Sequence, residues 1–451
     1  MRFLTSCLLA GVASFSIAGG ASASEQVAAE LAGHAVLPAM TMLPPPADAP
    51  QMFQISGKFA GPAGVRVDAP NSVDGVSKAG DQVRPTGLTF PLVGQPVQGF
   101  SGIRALGDDR FLTLTDNGFG SKANSPDALL MFHELQADWE EGRLRRTDTV
   151  FLHDPDKVVP FRITTEATDE RYLTGADFDL ESIQPVGDSY WIGEEFGPYL
   201  IEVDQDGKVL SLVETLVDGN AVRSPDHPGV LTPPSPGPVD FQVKRSKGFE
   251  GMAVSPDGKL LYPLLEGPLV DAQGSPEKHE GKEALRILEF DTAAKEWTGR
   301  SWLYPLEADG HAIGDFNMID ESRGLIIERD NLEGDPKDAC QGEVTETCIA
   351  KPASFKRVYL VELGEPGQAV RKIAHLDLMD IDDPNGLARL GGGDGKFNFP
   401  FFTIENVDMV DENHIVVGND NNLPFSAGRS VNEADSNELI LLEVGDFLQR
   451  R

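Results

Sequence analysis

The chain has 451 residues, with 72 acidic against 38 basic side chains and a formal net charge of −34 at pH 7. This charge repels nucleic acid and anionic membranes, so we expect neither as a partner, and it suits a chain that meets divalent cations outside the cytoplasm. Beyond the N-terminal stretch, no apolar run approaches the roughly 20 residues that a spanning helix needs, so we expect no membrane insertion.

The first predicted element is a secretory signal peptide over residues 1–23. Arg2 supplies the positive end, and Phe3 begins an apolar stretch that ends at Ile17. Ala21-Ser22-Ala23 is a cleavage site of small residues. We therefore expect cleavage near Ala23 and a periplasmic or secreted protein.

The next predicted element, residues 24–50, is an extended lead-in rich in proline, with Pro-Pro-Pro at 44–46. The remainder, residues 51–451, reads as one domain. Residues 51–60 could form a strand. Closed ring folds are often completed by an N-terminal strand, and Phe53-Gln54-Ile55 is the candidate for that role.

The clearest local pattern lies at residues 250–267, where two apolar runs flank Ser-Pro-Asp-Gly. Proline presets one backbone angle of a turn and glycine accepts a positive φ, so this tetrapeptide favours a hairpin between two strands. Glu250 begins the first run and Glu266 follows the second. Because a hairpin returns on itself, we expect both acids at the same rim of a sheet.

A similar order of polar residue, apolar run, turn, apolar run and acid recurs along the chain. The other copies span residues 100–118, 180–195, 314–331 and 404–422. Apolar runs after the copies add further strands, so each repeat predicts a sheet of three or four strands. We therefore predict an all-β fold, a β-propeller of about five to seven blades. A pair of β-sandwiches is the alternative, but it does not explain why acids repeat at equivalent points.

In a propeller the strand ends of all blades meet around a central channel, so the repeated acids are expected to converge there. The candidate metal ligands are Asp116, Glu181, Glu194, Glu195, Glu250, Glu266, Asp315, Glu405 and Asp420. Neighbouring asparagines add oxygen donors, among them Asn117, Asn406, Asn421 and Asn422. Crowded carboxylates repel unless a cation lies among them, and oxygen-only ligands favour a hard ion, Ca²⁺ ahead of Mg²⁺. The alternative is that these side chains cap strand ends and turns.

Three basic residues lie inside or beside the repeats, namely Arg104, Lys247 and Arg329. A substrate that carries phosphate needs such residues. Each of them could equally form an ion pair with the abundant acids.

Cys340 and Cys348 are the two cysteines beyond the predicted signal peptide. In an oxidising compartment we expect them to form a disulfide that closes a small loop after the fourth repeat.

Four pairs of motifs recur in the repeats. They are Gly-Phe-Ser-Gly-Ile with Leu-Thr-Asp-Asn-Gly, Asp-Leu-Glu-Ser-Ile with Trp-Ile-Gly-Glu-Glu, Gly-Phe-Glu-Gly-Met-Ala with Ser-Pro-Asp-Gly, and Ile-Glu-Asn-Val-Asp with Gly-Asn-Asp-Asn-Asn. Together they resemble the phytase-like domain, whose members are described as having esterase-like activity of phytase. The resemblance implies an exported bacterial β-propeller in which recurrent acids carry phosphoester hydrolysis. It points to Asp116, Glu181, Glu194, Glu195, Glu250, Glu266 and Glu405.

We therefore predict a calcium-dependent hydrolase that acts on a small-molecule phosphate ester in an acidic central channel. In this hypothesis a metal-activated water attacks phosphorus, Glu181 and Glu250 are the catalytic acids, and Arg329 neutralises the developing charge. Two alternatives remain. One is a calcium-dependent propeller lactonase or carboxylesterase, and the other is a non-catalytic periplasmic binding propeller with structural calcium.

Overall fold

The computed structural model describes residues 24–61, 66, 72–230 and 241–451. The predicted signal peptide lies outside these residues. Regular structure in the described part consists of β-strands and of short 3-10 helices at Gln51–Gln54, Ala79–Asp81, Pro336–Asp338 and Phe447–Gln449. None of its helices has the length and apolar character needed to cross a membrane.

All five predicted hairpins form, each as an antiparallel pair of strands. The pairs are Phe100–Gly107 with Arg110–Thr115, Leu180–Val186 with Ser189–Glu194, Phe249–Val254 with Leu260–Leu265, Ala312–Met318 with Arg323–Arg329, and Thr403–Met409 with His414–Asp420. The turn chemistry is as predicted at residues 255–258, where Gly258 has a φ of +73°. The side chain of Ser255 accepts a hydrogen bond from the backbone of Leu260 across this turn, at 2.9 Å.

Each hairpin is widened by two further strands into a sheet, and we number the sheets 1 to 5 in chain order. The added strands are Met131–Asp138 and Arg143–Phe151 in sheet 1, Tyr199–Asp204 and Val209–Glu214 in sheet 2, Lys282–Asp291 and Glu296–Pro305 in sheet 3, Lys356–Glu362 and Arg371–Asp377 in sheet 4, and Asn437–Glu443 and Glu30–Leu37 in sheet 5. Glu25–Val27 pairs in parallel with the outer strand of sheet 4.

The first strands of the sheets contact one another in the cyclic order 1, 2, 3, 4, 5 and back to 1. They line the axis, and every residue of Ala312–Met318 is buried as a result. Apolar clusters fill the spaces between neighbouring sheets, and Phe316 packs with Tyr262 and Tyr304 between sheets 3 and 4. This arrangement is that of a β-propeller, as predicted.

The ring is closed by an N-terminal strand, but not by the predicted one. Glu30–Leu37 pairs antiparallel with Asn437–Glu443, and Val36 also pairs with Arg143 of sheet 1. The expected candidate, Phe53-Gln54-Ile55, was wrong. Residues 51–54 form a 3-10 helix that follows Pro50, because the backbone of Phe53 donates to the Pro50 carbonyl at 3.0 Å.

Several short strands either extend the five four-stranded sheets or lie apart from them. They are Met42–Leu43, Ile55–Ser56, Val73–Ser77, Arg84–Phe90, Leu92–Val93, Gln95–Pro96, Leu216–Val217, Asn220–Ala221, Lys278–His279, Ile381–Asp382 and Lys396–Phe397. Val73–Ser77 and Arg84–Phe90 pair as a hairpin, which we call the side hairpin. Arg84 anchors it to the loop after the first hairpin of sheet 5 by donating to the carbonyl of Ala427 at 3.0 Å. Cys340 and Cys348 form the predicted disulfide.

Candidate functional site

Three of the predicted acids lie on first strands, at positions that the strand pairing skips. In sheet 2 the pairing passes from Leu180 to Ser182, so Glu181 occupies a β-bulge. Glu250 and Glu405 occupy the same kind of bulge in sheets 3 and 5. A bulge re-aims the side chain of the unpaired residue, and all three carboxylates point into one cavity at the end of the axis.

A second set of side chains comes from equivalent positions at the ends of the five second strands. These residues are Asp116, Glu195, Glu266, Arg329 and Asp420, and all of them line the same cavity. The strand pairing has the same register at this end of all five hairpins, so the same position in each sheet supplies one side chain. Four of the five are acids and the fourth sheet supplies the arginine.

The cavity has a volume of about 160 Å³ and holds eight carboxylates, contributed by four of the sheets and their adjoining loops. We call it the acidic cavity. The eight are Asp116, Asp179, Glu181, Glu195, Glu250, Glu266, Glu405 and Asp420. Asn117, Ser246, Thr403 and Asn422 add uncharged polar groups to its wall.

The carboxylates are close enough to share a cation. Three groups of three have oxygen atoms within 4.8 Å of one another: Asp179 with Glu181 and Glu195, Glu181 with Glu250 and Glu405, and Glu195 with Glu250 and Glu266. Glu181, Glu195 and Glu250 each belong to two of these groups. The groups therefore form one connected cluster rather than separate sites.

The proximity of these acids has the expected effect on their ionisation. Burial, and then the charge of neighbouring carboxylates, raises the pKa of Glu181, Glu195 and Glu250 well above the usual value. Burial and the nearby Asp179 raise the pKa of Asp116 to about 8. Burial raises the pKa of Asp179 itself to about 6. Protons thus compete with any cation for this cluster.

Two basic side chains face the carboxylates. Arg329, which is almost fully buried, lies 3.0 Å from a Glu405 oxygen and 3.7 Å from a Glu266 oxygen. Lys247, on the loop before sheet 3, forms an ion pair with Glu266. Eight acids against two bases leave the acidic cavity strongly negative when its carboxylates are ionised.

Some buried polar atoms of the acidic cavity lack a partner. Within the described part of the chain, one oxygen of Glu195, one oxygen of Glu250 and the Nε of Arg329 have no hydrogen-bond partner. Buried polar groups are nearly always satisfied, so such atoms call for a ligand. An oxygen-only donor set with partnerless carboxylate oxygens fits a hard divalent cation.

Two predicted ligands, Glu194 and Asp315, lie outside the acidic cavity. Glu194 is one residue out of phase with Glu195, and its carboxylate accepts backbone hydrogen bonds from Phe196, Gly197 and Tyr199 at 2.7–2.8 Å. It therefore holds the turn that follows its strand. A shift of one residue along a strand moves a side chain to the opposite face.

Asp315 is out of phase for the same reason. In sheet 4 the position equivalent to Glu250 is Gly314, where a Cβ atom would collide with the carbonyl oxygen of Ile404. The Asp315 carboxylate instead accepts from the backbones of Ile103 and Val407 at 3.1 and 3.2 Å. It joins sheets 1, 4 and 5, and burial raises its pKa to about 7.

Sequence reasoning missed Asp179. This residue precedes the first strand of sheet 2 and accepts hydrogen bonds from Asn117, on the loop after the neighbouring hairpin, from the backbone at 3.1 Å and from the side-chain amide at 2.7 Å. The pattern Asp-Phe-Asp at 177–179, just before a repeat, was the available signal. Its neighbour Asp177 turns away and accepts from Thr164 and Thr174.

The sequence model of one family, described as "Phytase-like: Esterase-like activity of phytase", matches residues 95–423. This range includes every residue of the acidic cavity. An uncharacterized secreted protein of Arthroderma benhamiae is 31% identical over 112 residues. That match covers 23% of this chain and 22% of the relative, so it spans less than a quarter of the relative's length.

Similar solved structures are distant. The hydrazine synthase of Kuenenia stuttgartiensis has a TM-score of 0.32 and 11% identity, over 72% of this chain and 78% of that chain. A luciferin-regenerating enzyme has a TM-score of 0.30 and 10% identity, over 77% of this chain and 91% of that chain. Likeness at this level says nothing about the reaction.

Proposed function

The chain belongs to the phytase-like family, and we propose that it is a calcium-dependent hydrolase of phosphate esters. The observation that carries this proposal is the meeting of eight carboxylates with Arg329 and Lys247 in one cavity. Carboxylates alone would repel a phosphate. A cluster that binds a cation and also has two fixed basic groups can bind a phosphate.

The connected carboxylate groups around Glu181, Glu195 and Glu250 would hold the cation. When bound, calcium supplies positive charge to the carboxylates and Lewis acidity toward a phosphoryl oxygen. Calcium takes six to eight oxygen ligands, and a carboxylate-rich cluster of this size suits it better than the smaller Mg²⁺.

The chain's own residues supply the proton transfers and the placement of the substrate. Arg329 has a partnerless Nε and would donate to a phosphate oxygen, with Lys247 contacting a second one. The partnerless oxygen of Glu250 would take a proton from the attacking water. Glu181, whose carboxylate has an oxygen within 4.8 Å of one of Glu250, would return a proton to the leaving alcohol as the P–O bond breaks.

Hydrolysis of phosphomonoesters and phosphodiesters by the purified protein tests this function. We expect release of alcohol that EDTA abolishes and that added calcium restores, with magnesium less effective. Lactones and carboxylesters are assayed in parallel as comparison substrates. Phosphate-ester hydrolysis that is indifferent to EDTA and to calcium would remove the metal from the reaction, and hydrolysis of lactones alone would overturn the choice of substrate.

We also propose that the protein is exported. The predicted signal peptide and the disulfide between Cys340 and Cys348 support this, as does the partial similarity to a secreted protein of Arthroderma benhamiae. Fractionation of producing cells, with detection of the mature N-terminus near Ala23 by mass spectrometry, tests it. A full-length chain retained with cytoplasmic markers would contradict export.

A further inference from the structure

A second cavity of about 220 Å³ adjoins the acidic cavity. Its wall comes from the side hairpin and from the loops before and after the first hairpin of sheet 5. Asn422 lines both cavities, and Phe402 of this cavity directly precedes Thr403 of the acidic one. The two cavities are therefore neighbours, with Asn422 in the wall of both.

The exposed lining of this second cavity is largely apolar. Val76, Ala79, Phe402 and Phe425 are only partly buried, and they present carbon surface to the space between them. At its base the carboxylate of Glu333 is already engaged, because it accepts from the hydroxyl of Ser77 and pairs with Arg84.

The size of the second cavity also suits a ligand group rather than a single water. An apolar protein cavity of about 150 Å³ is known to bind benzene, and this one is larger. Partly exposed aromatic side chains in a concave wall are typical of sites for the apolar part of a small molecule.

The junction of the two cavities lies beside the basic group that would bind phosphate. The Arg329 guanidinium lies 5.7 Å from the centre of the Phe402 ring, and it is also 3.0 Å from Glu405. An ester whose phosphate contacts Arg329 therefore has its organic group within reach of Phe402 and of the apolar wall behind it.

We propose that the second cavity binds the leaving group of the substrate, and that the preferred substrates are phosphate esters of alcohols with an aryl or branched alkyl group. This inference rests on the proposed function. A small alcohol without an apolar group gains less there, because it leaves the side chains of Val76, Phe402 and Phe425 uncovered.

The test compares 2-phenylethyl phosphate with ethyl phosphate, because the two release alcohols of similar acidity and differ mainly in apolar size. We expect kcat/KM to be at least about tenfold higher for 2-phenylethyl phosphate. Ala79→Leu and Ala79→Trp fill the cavity in two steps and should lower kcat/KM for 2-phenylethyl phosphate in the same order, and by more than for ethyl phosphate. Ala294→Trp, on the exposed turn of sheet 3, is the matched control and should retain the preference.

Equal kcat/KM for the two esters, or an equal loss for both in Ala79→Trp, would overturn the leaving-group site while leaving the hydrolase intact. If neither ester is hydrolysed, the proposed function fails and the cavity is judged by binding alone. Saturation-transfer NMR with 2-phenylethanol then decides. Binding to the parent that Ala79→Trp abolishes and Ala294→Trp retains supports an apolar ligand site, and absence of binding to the parent overturns it.

Discussion

Replacing Arg329 with methionine removes a buried positive charge from among the carboxylates while keeping most of the side-chain volume. The Arg329 guanidinium is 3.0 Å from Glu405 and 3.7 Å from Glu266. At an effective dielectric constant of about 20, these separations correspond to about 5.5 and about 4.5 kcal/mol of attraction. Loss of one partner from a buried pair typically costs ~3–5 kcal/mol, because the remaining charge is left uncompensated. We expect the variant to lose this much unfolding free energy at pH 8 in EDTA.

The loss should depend on pH in a defined direction. Burial raises the pKa of Glu405 and of Glu250, so these carboxyls take up protons at a higher pH than free ones and then need the arginine less. We therefore expect the cost of Arg329→Met to decrease as the pH is lowered from 8 to 5. Saturating calcium at pH 8 should restore much of the lost stability, because a bound cation replaces the missing charge.

Urea unfolding followed by tryptophan fluorescence measures these differences. Arg371→Met is the matched control, because Arg371 forms an ion pair with Glu362 at 2.7 Å on the exposed edge of sheet 4. Exposed pairs contribute less than ~1 kcal/mol. If Arg329→Met costs no more than Arg371→Met at pH 8, the carboxylates around Arg329 are not ionised and the electrostatic reasoning is refuted.

Three further outcomes are expected. In EDTA the melting temperature should fall as the pH rises from about 5 to about 9. The pKa values of Asp116 and Asp179 in the folded protein, about 8 and about 6, exceed the ordinary 3.8. The folded protein therefore holds protons that the unfolded chain releases, and its stability decreases as the pH rises. The increase in melting temperature on adding calcium should grow over the same range, and a flat profile would contradict this. Glu250→Gln should lower kcat by at least ~100-fold and weaken calcium binding, measured by calorimetry, at least about tenfold. The control Glu412→Gln, at an exposed position, should change neither quantity. If Glu250→Gln binds calcium with an affinity within twofold of the parent, Glu250 is not a calcium ligand. Replacement of both Cys340 and Cys348 by serine should cost about 2–3 kcal/mol of unfolding free energy, because the disulfide closes a loop with a separation of only 8 residues. The value of kcat should stay unchanged. A loss of activity would show that this loop contributes to the site.

The hairpins were predictable from sequence because their determinants are local. Two apolar runs and a turn such as residues 255–258 suffice to specify an antiparallel pair, and the recurrence of that pattern indicates a ring. The convergence of Glu181, Glu250 and Glu405 follows from equivalent places in equivalent hairpins. Their β-bulges explain how all three point the same way.

The phase of the rim residues was not predictable from local pattern. Of the consecutive acids Glu194 and Glu195, only the second lines the acidic cavity. Gly314 takes the place of an acid in sheet 4 because the backbone of the neighbouring sheet approaches closely there. Which residue faces the acidic cavity depends on how adjacent sheets pack, and the sequence of a single repeat carries no information about that packing.

The closing strand was misplaced for a related reason. Glu30–Leu37 has buried residues at Leu31, Ala35 and Leu37, with the even spacing of a strand. The prolines at 44–46 led to the assignment of all of residues 24–50 to an extended lead-in. Its pairing partner lies some 400 residues away, at Asn437–Glu443. Contacts at that separation leave almost no trace in a local pattern.

The position of this closing strand imposes an order on biogenesis. Glu30–Leu37 emerges from the ribosome some 400 residues before Asn437–Glu443, so the strand waits for its partner while the segments between them are made. Sheets 1 to 4 can assemble meanwhile from neighbouring segments. A nascent or truncated chain that lacks Asn437–Glu443 leaves unpaired backbone groups on both sides of the gap, where they can recruit strands from other molecules. We therefore expect the pairing of Asn437–Glu443 with Glu30–Leu37 to be the step that protects this protein from aggregation.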